Sequence, residues 1–265
     1  SIKPTLGLIS QDRIIPIAAA YDTAGPMARN VTDMALLFDV LAPGHDFTGA
    51  LNSDALQGLR VGLVMRDEEQ KPGDHAIIEQ AATVLAQAGA KTVIISPLDS
   101  EGIEILPVLA VQFNAGVRDY FADVPNAPIR SLSDAAEFNA QDLANRAPYG
   151  QNILAGSASI PLTANILDQA HALVEQNRSI ATTRLQAALD ANALDIIIDI
   201  NHYNTLISAV SGVPALTVPA GYRDNGEPVG ITLLARAGED AKLVGAAYAF
   251  EQTANIRQAP SLLMR

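Results

Sequence analysis

The sequence predicts an α/β fold, a mixed β-sheet flanked by helices, and two patterns carry that reading. An apolar stretch, RVGLVM at residues 60–65, precedes a helix-patterned run, HAIIEQAATVLAQA at 75–88, and then the β-branched stretch KTVIIS at 91–96. That strand–helix–strand order is the unit of parallel sheets. Two further apolar stretches, ALTVPAG at 215–221 and PVGITLLA at 228–235, bracket Asp224-Asn225-Gly226 and read as an antiparallel hairpin. Parallel and antiparallel pairs in one chain make the sheet mixed.

The remaining elements follow in order. The stretch YDTAGPMARNVTD, residues 21–33, holds a turn-forming Gly25-Pro26 pair. From there Met27, Val31, Met34, Leu37, Phe38 and Leu41 recur at intervals of three and four, which predicts a helix from Pro26 with one buried face. Proline at a first helical position loses only an N–H that has no partner there. Arg29 and Asp33, four apart, would pair along that helix. Asp74 stands at the start of the 75–88 helix as a cap, and Gly89 stops it. Residues 100–190 read as helices interrupted by Gly and Pro, a flank without a strand. LDIIIDI at 194–200 is another strand. A last helix over 239–255 opens on Glu239-Asp240, which suits its dipole, and buries Leu243, Ala247 and Phe250. With no linker, repeat or low-complexity segment, residues 1–265 are expected to form a single domain.

Composition excludes several classes of function. With 265 residues, 49% of them apolar, the chain can bury a large core. Seventeen basic against 29 acidic residues leave −12, which opposes binding to nucleic acid or an anionic membrane. No apolar run approaches the ~20 residues that span a bilayer. Without cysteine there is no disulfide, thiolate nucleophile or Cys-based metal site. SIKPTLGLIS opens without Met or a signal region and runs directly into structured-looking sequence. The expectation is that the true N-terminus lies elsewhere, which leaves the compartment open between cytoplasmic and secreted.

Generic catalytic motifs are missing. There is no Gly-x-Ser-x-Gly elbow and no phosphate-binding loop. His45, His75, His171 and His202 lack paired metal-ligand spacing, so neither a metal nor a cofactor is expected. Glu68-Glu69 reads as a solvated loop. Asp195 and Asp199 flank the strand at 194–200, and Asp199 is either an edge or turn carboxylate or one that faces a cleft.

Several stretches, taken in order, resemble one family. KPTLGLIS, IIPIAAAYDTAGPMARNVTDMA, SGVPALTVPAG, NGEPVGITLLA and AYAFEQ look like the second half of amidase signature hydrolases. FNAGVRDYF at 113–121 and APIRSLSDAAEFN at 127–139 look like the branch with bacterial peptide amidases. The resemblance covers nearly the whole chain and implies the C-terminal portion of the amidase signature fold. It implies hydrolysis of a carboxamide or peptide amide by a Ser–cis-Ser–Lys triad. There the lysine acts as base through the bridging serine, the second serine attacks, and backbone N–H groups hold the oxyanion.

In that family the triad lies upstream of Lys-Pro-Thr, with the bridging serine in a Gly-Ser-Ser-Gly-Gly-Ser run. Here no Gly-Gly pair occurs, the only Gly-Ser pair is Gly156-Ser157, and the lysines are Lys3, Lys71, Lys91 and Lys242. No catalytic residue is therefore assigned to this chain. It is expected to be inactive alone, its partner the missing N-terminal half. The resemblance makes Asp22 and Thr23 pocket or loop-fixing residues, while capping of a helix start explains them equally. It places His202, Tyr203, Asn204 and Ser208 at the mouth of a pocket for a small amide or peptide amide. Alternatively these residues form a polar loop before the next helix. A chain lacking part of its sheet would expose an edge and dimerise through it. Two other readings are a non-catalytic binding module derived from the fold and an amidotransferase of the A type that works on charged tRNA with partner subunits. The acidic charge and the peptide-amidase-like middle argue against the second.

Overall fold

The structure, a computed structural model, describes residues 1–259. Its strands are Ile2–Lys3 (β1), Arg60–Val64 (β2), Lys91–Ile95 (β3), Ile196–Ile200 (β4), Ala215–Tyr222 (β5) and Pro228–Leu234 (β6). Its α-helices are Val31–Leu41 (α1), Asp74–Gln87 (α2), Ile105–Ala122 (α3), Leu132–Ala140 (α4), Leu143–Arg146 (α5), Asn152–Ala158 (α6), Ala164–Ala191 (α7), Thr205–Ser211 (α8) and Asp240–Ala254 (α9). The chain divides into two compact units. One comprises residues 1–10, 23–100 and those from 182 onward; the other comprises 11–22 and 101–181.

The first unit holds the sheet, ordered β1-β5-β6-β4-β2-β3. β2 runs parallel to β3 and β4, and the other pairings are antiparallel, so the sheet is mixed as expected. Side chains alternate between its faces. Val61, Leu63, Ile196, Ile198, Ile200, Leu216, Val218, Ile231 and Leu233 point to the main core. Against them α2 brings Ile77, Ile78, Ala81, Val84 and Leu85, a helical spacing whose members are all buried. From α9 come Leu243, Ala247 and Phe250, each fully buried as expected. All five residues of β4 are buried, the pattern of a central strand covered on both faces.

Two elements depart from the sequence reading. β1 was not foreseen: Ile2 and Lys3 become a strand only because Leu216 and Ala215 of β5 lie opposite. The helix expected from Pro26 starts instead at Val31, capped by Asn30, whose side chain accepts the Asp33 N–H at 2.7 Å. The cause is long-range. The Pro26 carbonyl accepts the Ile2 N–H, and a Cβ at Gly25 would lie 2.0 Å from the Ile2 carbonyl oxygen. Backbone committed to β1 cannot also turn into a helix. The Arg29–Asp33 helical pair is lost with it, because Arg29 precedes the helix and the Asp33 carboxylate bonds to Asn30. Met27, Leu37 and Leu41, expected in the core, are exposed, and the buried face is Val31, Met34, Ala35 and Phe38.

The second unit is helical, as expected for the middle of the chain. In it Asn177 on α7, fully buried, accepts the Glu104 N–H at 2.9 Å and donates to the Glu104 carbonyl and the Tyr21 hydroxyl. Such a residue fixes one packing arrangement, since every alternative leaves its amide unpaired.

Candidate functional site

The Lys-Pro-Thr segment is anchored at both ends of its turn. Asp240, the buried first residue of α9, accepts the Thr5 N–H at 2.8 Å and the Thr5 hydroxyl at 2.5 Å. The acidic start of α9 thus does more than complement a dipole: it ties residues 235 positions apart. Lys3 donates to the Pro4 carbonyl at 2.8 Å. Burial lowers its ammonium pKa to about 8, and the Asp240 carboxylate partly opposes that shift.

Asp22 closes a local turn by accepting the N–H groups of Ile17 and Ala18 at 2.7 and 2.9 Å. Thr23 donates to the Ala24 carbonyl at 3.1 Å. Neither caps α1, so the helix-cap explanation of these two residues fails. Asp22 belongs to the helical unit and Thr23 to the sheet unit.

Past the C-terminal end of β4, Asn201 adopts a positive φ of 49° and turns the chain out of the sheet. Its backbone carbonyl accepts the Thr232 hydroxyl, which locks the turn to β6. His202 is exposed, Tyr203 is half-buried, and Asn204 is buried as the residue before α8. The His202 and Tyr203 rings lie 5.5 Å apart. Asn204 bonds through its backbone carbonyl to the Ser208 N–H, and its side-chain amide nitrogen is buried without an acceptor.

Tyr203 is held by residues that the sequence did not connect to it. Its ring lies 4.8 Å from the Arg66 guanidinium, and its hydroxyl lies 3.4 Å from Asp74 Oδ2. Arg66 in turn grips Asp199 with two bonds of 2.6 and 2.8 Å. Asp199 is neither an edge nor a cleft carboxylate; it is fully buried inside β4. The Asp199 hydrogen bonds raise the pKa of Arg66 further. Asp74 is not the cap of α2: it is buried and paired with Arg223 at 2.5 Å. The start of α2 is satisfied by Glu69, which accepts the N–H groups of Gly73 and His75 at 3.2 and 2.9 Å; Glu68 and Glu69 are otherwise exposed in the loop, as expected.

A polar row also crosses the sheet on the face opposite the main core. Register places Thr217, Thr232 and Asp199 side by side on β5, β6 and β4, with the two threonine hydroxyls 2.8 Å apart. Among the described residues no group of three or more His, Asp or Glu could hold a metal ion, and no helix is long and apolar enough to cross a membrane.

Known proteins share this fold. An amidase family protein from Bacillus anthracis has a TM-score of 0.91 to this structure at 34% identity, covering 98% of this chain and 54% of that one. The native peptide amidase of Stenotrophomonas maltophilia gives 0.88 at 33% identity, covering 100% of this chain and 60% of that one. A glutamyl-tRNA(Gln) amidotransferase component from a Synechococcus strain is 26% identical over 96% of this chain and 60% of its own length. The chain therefore spans 54–60% of the length of the relatives it matches. The family model described as Amidase matches residues 2–244, nearly the whole of the described sheet and helical units, and the chain belongs to the amidase family.

Proposed function

We propose that this chain is the C-terminal portion of an amide hydrolase that cleaves a carboxamide or peptide amide, with the Ser–cis-Ser–Lys triad on a segment upstream of residue 1. The observation that carries the reading is the 33% identity to a peptide amidase along 100% of this chain. The sequence supports an upstream triad, since it holds no Gly-Gly pair. Two of its lysines are engaged in ion pairs, Lys71 with Glu227 at 2.6 Å and Lys242 with Glu239 at 2.5 Å. Alone, the chain is inert.

Within this reading His202 and Tyr203 contact the substrate, since they follow the C-terminal end of a central strand, where α/β sheets place ligands. Asn204 offers them a buried, unpaired donor as support, and Asp22 and Thr23 shape the loop in which they stand. The amidotransferase reading is supported by relatives such as the Synechococcus one, at lower identity than the peptide amidase.

The test combines the reading frame upstream of residue 1 with an activity assay. The 27.8 kDa chain should neither hydrolyse a peptide amide nor take a serine-directed acylating label. The protein extended by its upstream segment should do both. Turnover by the 265-residue chain itself would refute the assignment.

A further inference from the structure

Helix α1 reads VTDMALLFDVL, with only Thr32, Asp33 and Asp39 interrupting its apolar residues. A helix apolar on all sides belongs in a protein interior. One face meets that expectation through Val31, Met34, Ala35 and Phe38. The other does not: Leu36, Leu37, Val40 and Leu41 are 55%, 40%, 75% and 37% exposed. Two adjacent pairs one helical turn apart form a continuous stripe, the kind of ridge that packs against a second helix.

The sheet is open beside the first turn of the same helix. β1 covers β5 only through Ser1, Ile2 and Lys3, opposite Thr217, Leu216 and Ala215. A cleft of about 260 Å³, lined in part by Ala28, Asn30, Met34, Val218 and Pro219, follows the uncovered part of the edge.

We propose that the outer face of α1 seats a helix of the amidase segment preceding residue 1 in the complete protein, and that extended chain of that segment runs along the free edge of β5. The proposal rests on the reading above that such a segment exists. Relatives with this fold carry a further 40–46% of their length outside the matched region (100 − 60 and 100 − 54). Continuing the antiparallel register, the residue before Ser1 faces Val218 and the one before that faces Pro219, where the missing N–H ends regular pairing. A second copy of this chain fits less well. Two molecules of −12 repel each other, and a stripe of four side chains falls short of the roughly 800 Å² per partner of a stable interface.

The absence of cysteine makes the test direct. Val40→Cys places one thiol on the open face of α1. Tyr149→Cys, at a fully exposed residue of the helical unit, is the control. In the 265-residue chain both should react rapidly with a maleimide, read peptide by peptide by mass spectrometry. In the protein extended by its upstream segment, Val40→Cys should slow at least tenfold while Tyr149→Cys keeps its rate. Equal reactivity of Val40→Cys in both proteins overturns the proposal, as does a reading frame that opens at residue 1. Protection of Val40→Cys in the short chain that grows with concentration also overturns it, because the cover is then a second copy. Protection in the extended protein without amide turnover leaves this proposal standing and sinks the functional reading.

Discussion

Replacing Arg66 by Met should unfold the sheet unit far more readily than deleting an ordinary ion pair. Asp199 is fully buried, and two hydrogen bonds from Arg66 at 2.6 and 2.8 Å balance its charge. It also accepts the Ile200 N–H, at 2.8 Å, but that donor carries no charge. Removing the guanidinium leaves a carboxylate in a central strand with no counter-charge, a loss of about 3–5 kcal/mol. A domain holds only about 5–15 kcal/mol in total, so the variant approaches the edge of folding. Replacing both partners, Arg66→Met with Asp199→Leu, removes the charge along with its cation and should recover most of the loss. The assay is urea unfolding followed by far-UV circular dichroism, with the tyrosine near-UV band as a second probe because the chain has no tryptophan. A cost below about 1 kcal/mol for Arg66→Met, the level of an exposed pair, would refute the argument. So would a double variant as unstable as the single one.

Three further outcomes follow from the same structure. Gly25→Ala should cost about 3 kcal/mol or more, because its Cβ would sit 2.0 Å from a backbone oxygen of β1 that cannot swing aside; a shift in urea midpoint equivalent to under about 0.5 kcal/mol would count against this. Lys3 has a folded pKa lowered from 10.5 to about 8, so the unfolded chain binds its proton more tightly. Stability should therefore rise as pH climbs from about 8 to 10.5, by at most about 3 kcal/mol, and Lys3→Met should flatten that rise in a pH series of melting curves. Asn177→Ala strips three hydrogen bonds from a buried position and should lower stability by about 1–3 kcal/mol, with faster hydrogen exchange at the Glu104 amide; an unchanged exchange rate would argue that the amide is not held there.

What could be read from the sequence was what neighbours in the chain determine. Strands β2 and β3 with α2 between them, and the β5–β6 hairpin around Asp224-Asn225-Gly226, announce themselves through apolar period and turn residues. Strand β1 has no such signature, since two residues show no period and become a strand only opposite β5. The start of α1 was misplaced for the same reason: Gly25 and Pro26 look like a helix entrance until Ile2 packs against them. At the candidate site, His202, Tyr203 and Asn204 could be singled out by the family resemblance, which puts pocket residues just before the Gly-x-Pro-Ala segment. Their supports could not. Arg66 and Asp199 lie 133 positions apart, and no spacing rule links an arginine after one strand to a carboxylate inside another. A weak hint was available, because an aspartate inside the isoleucine run of LDIIIDI requires a cation somewhere.

The order of strands in the sheet has a consequence for synthesis of the chain. β2 is hydrogen-bonded to β3 on one side and to β4 on the other, and its partner residue for Val61 in β4 is Ile196, 135 positions later (196 − 61). On a ribosome adding about 5–20 residues per second, β2 and β3 wait on the order of ten seconds for that partner while the helical unit is made. During this interval the other edge of β2, with Val61, Leu63 and Val64 along it, has no strand beside it. The nascent chain therefore passes through a window in which chaperones and neighbouring chains compete for the place that β4 will later take.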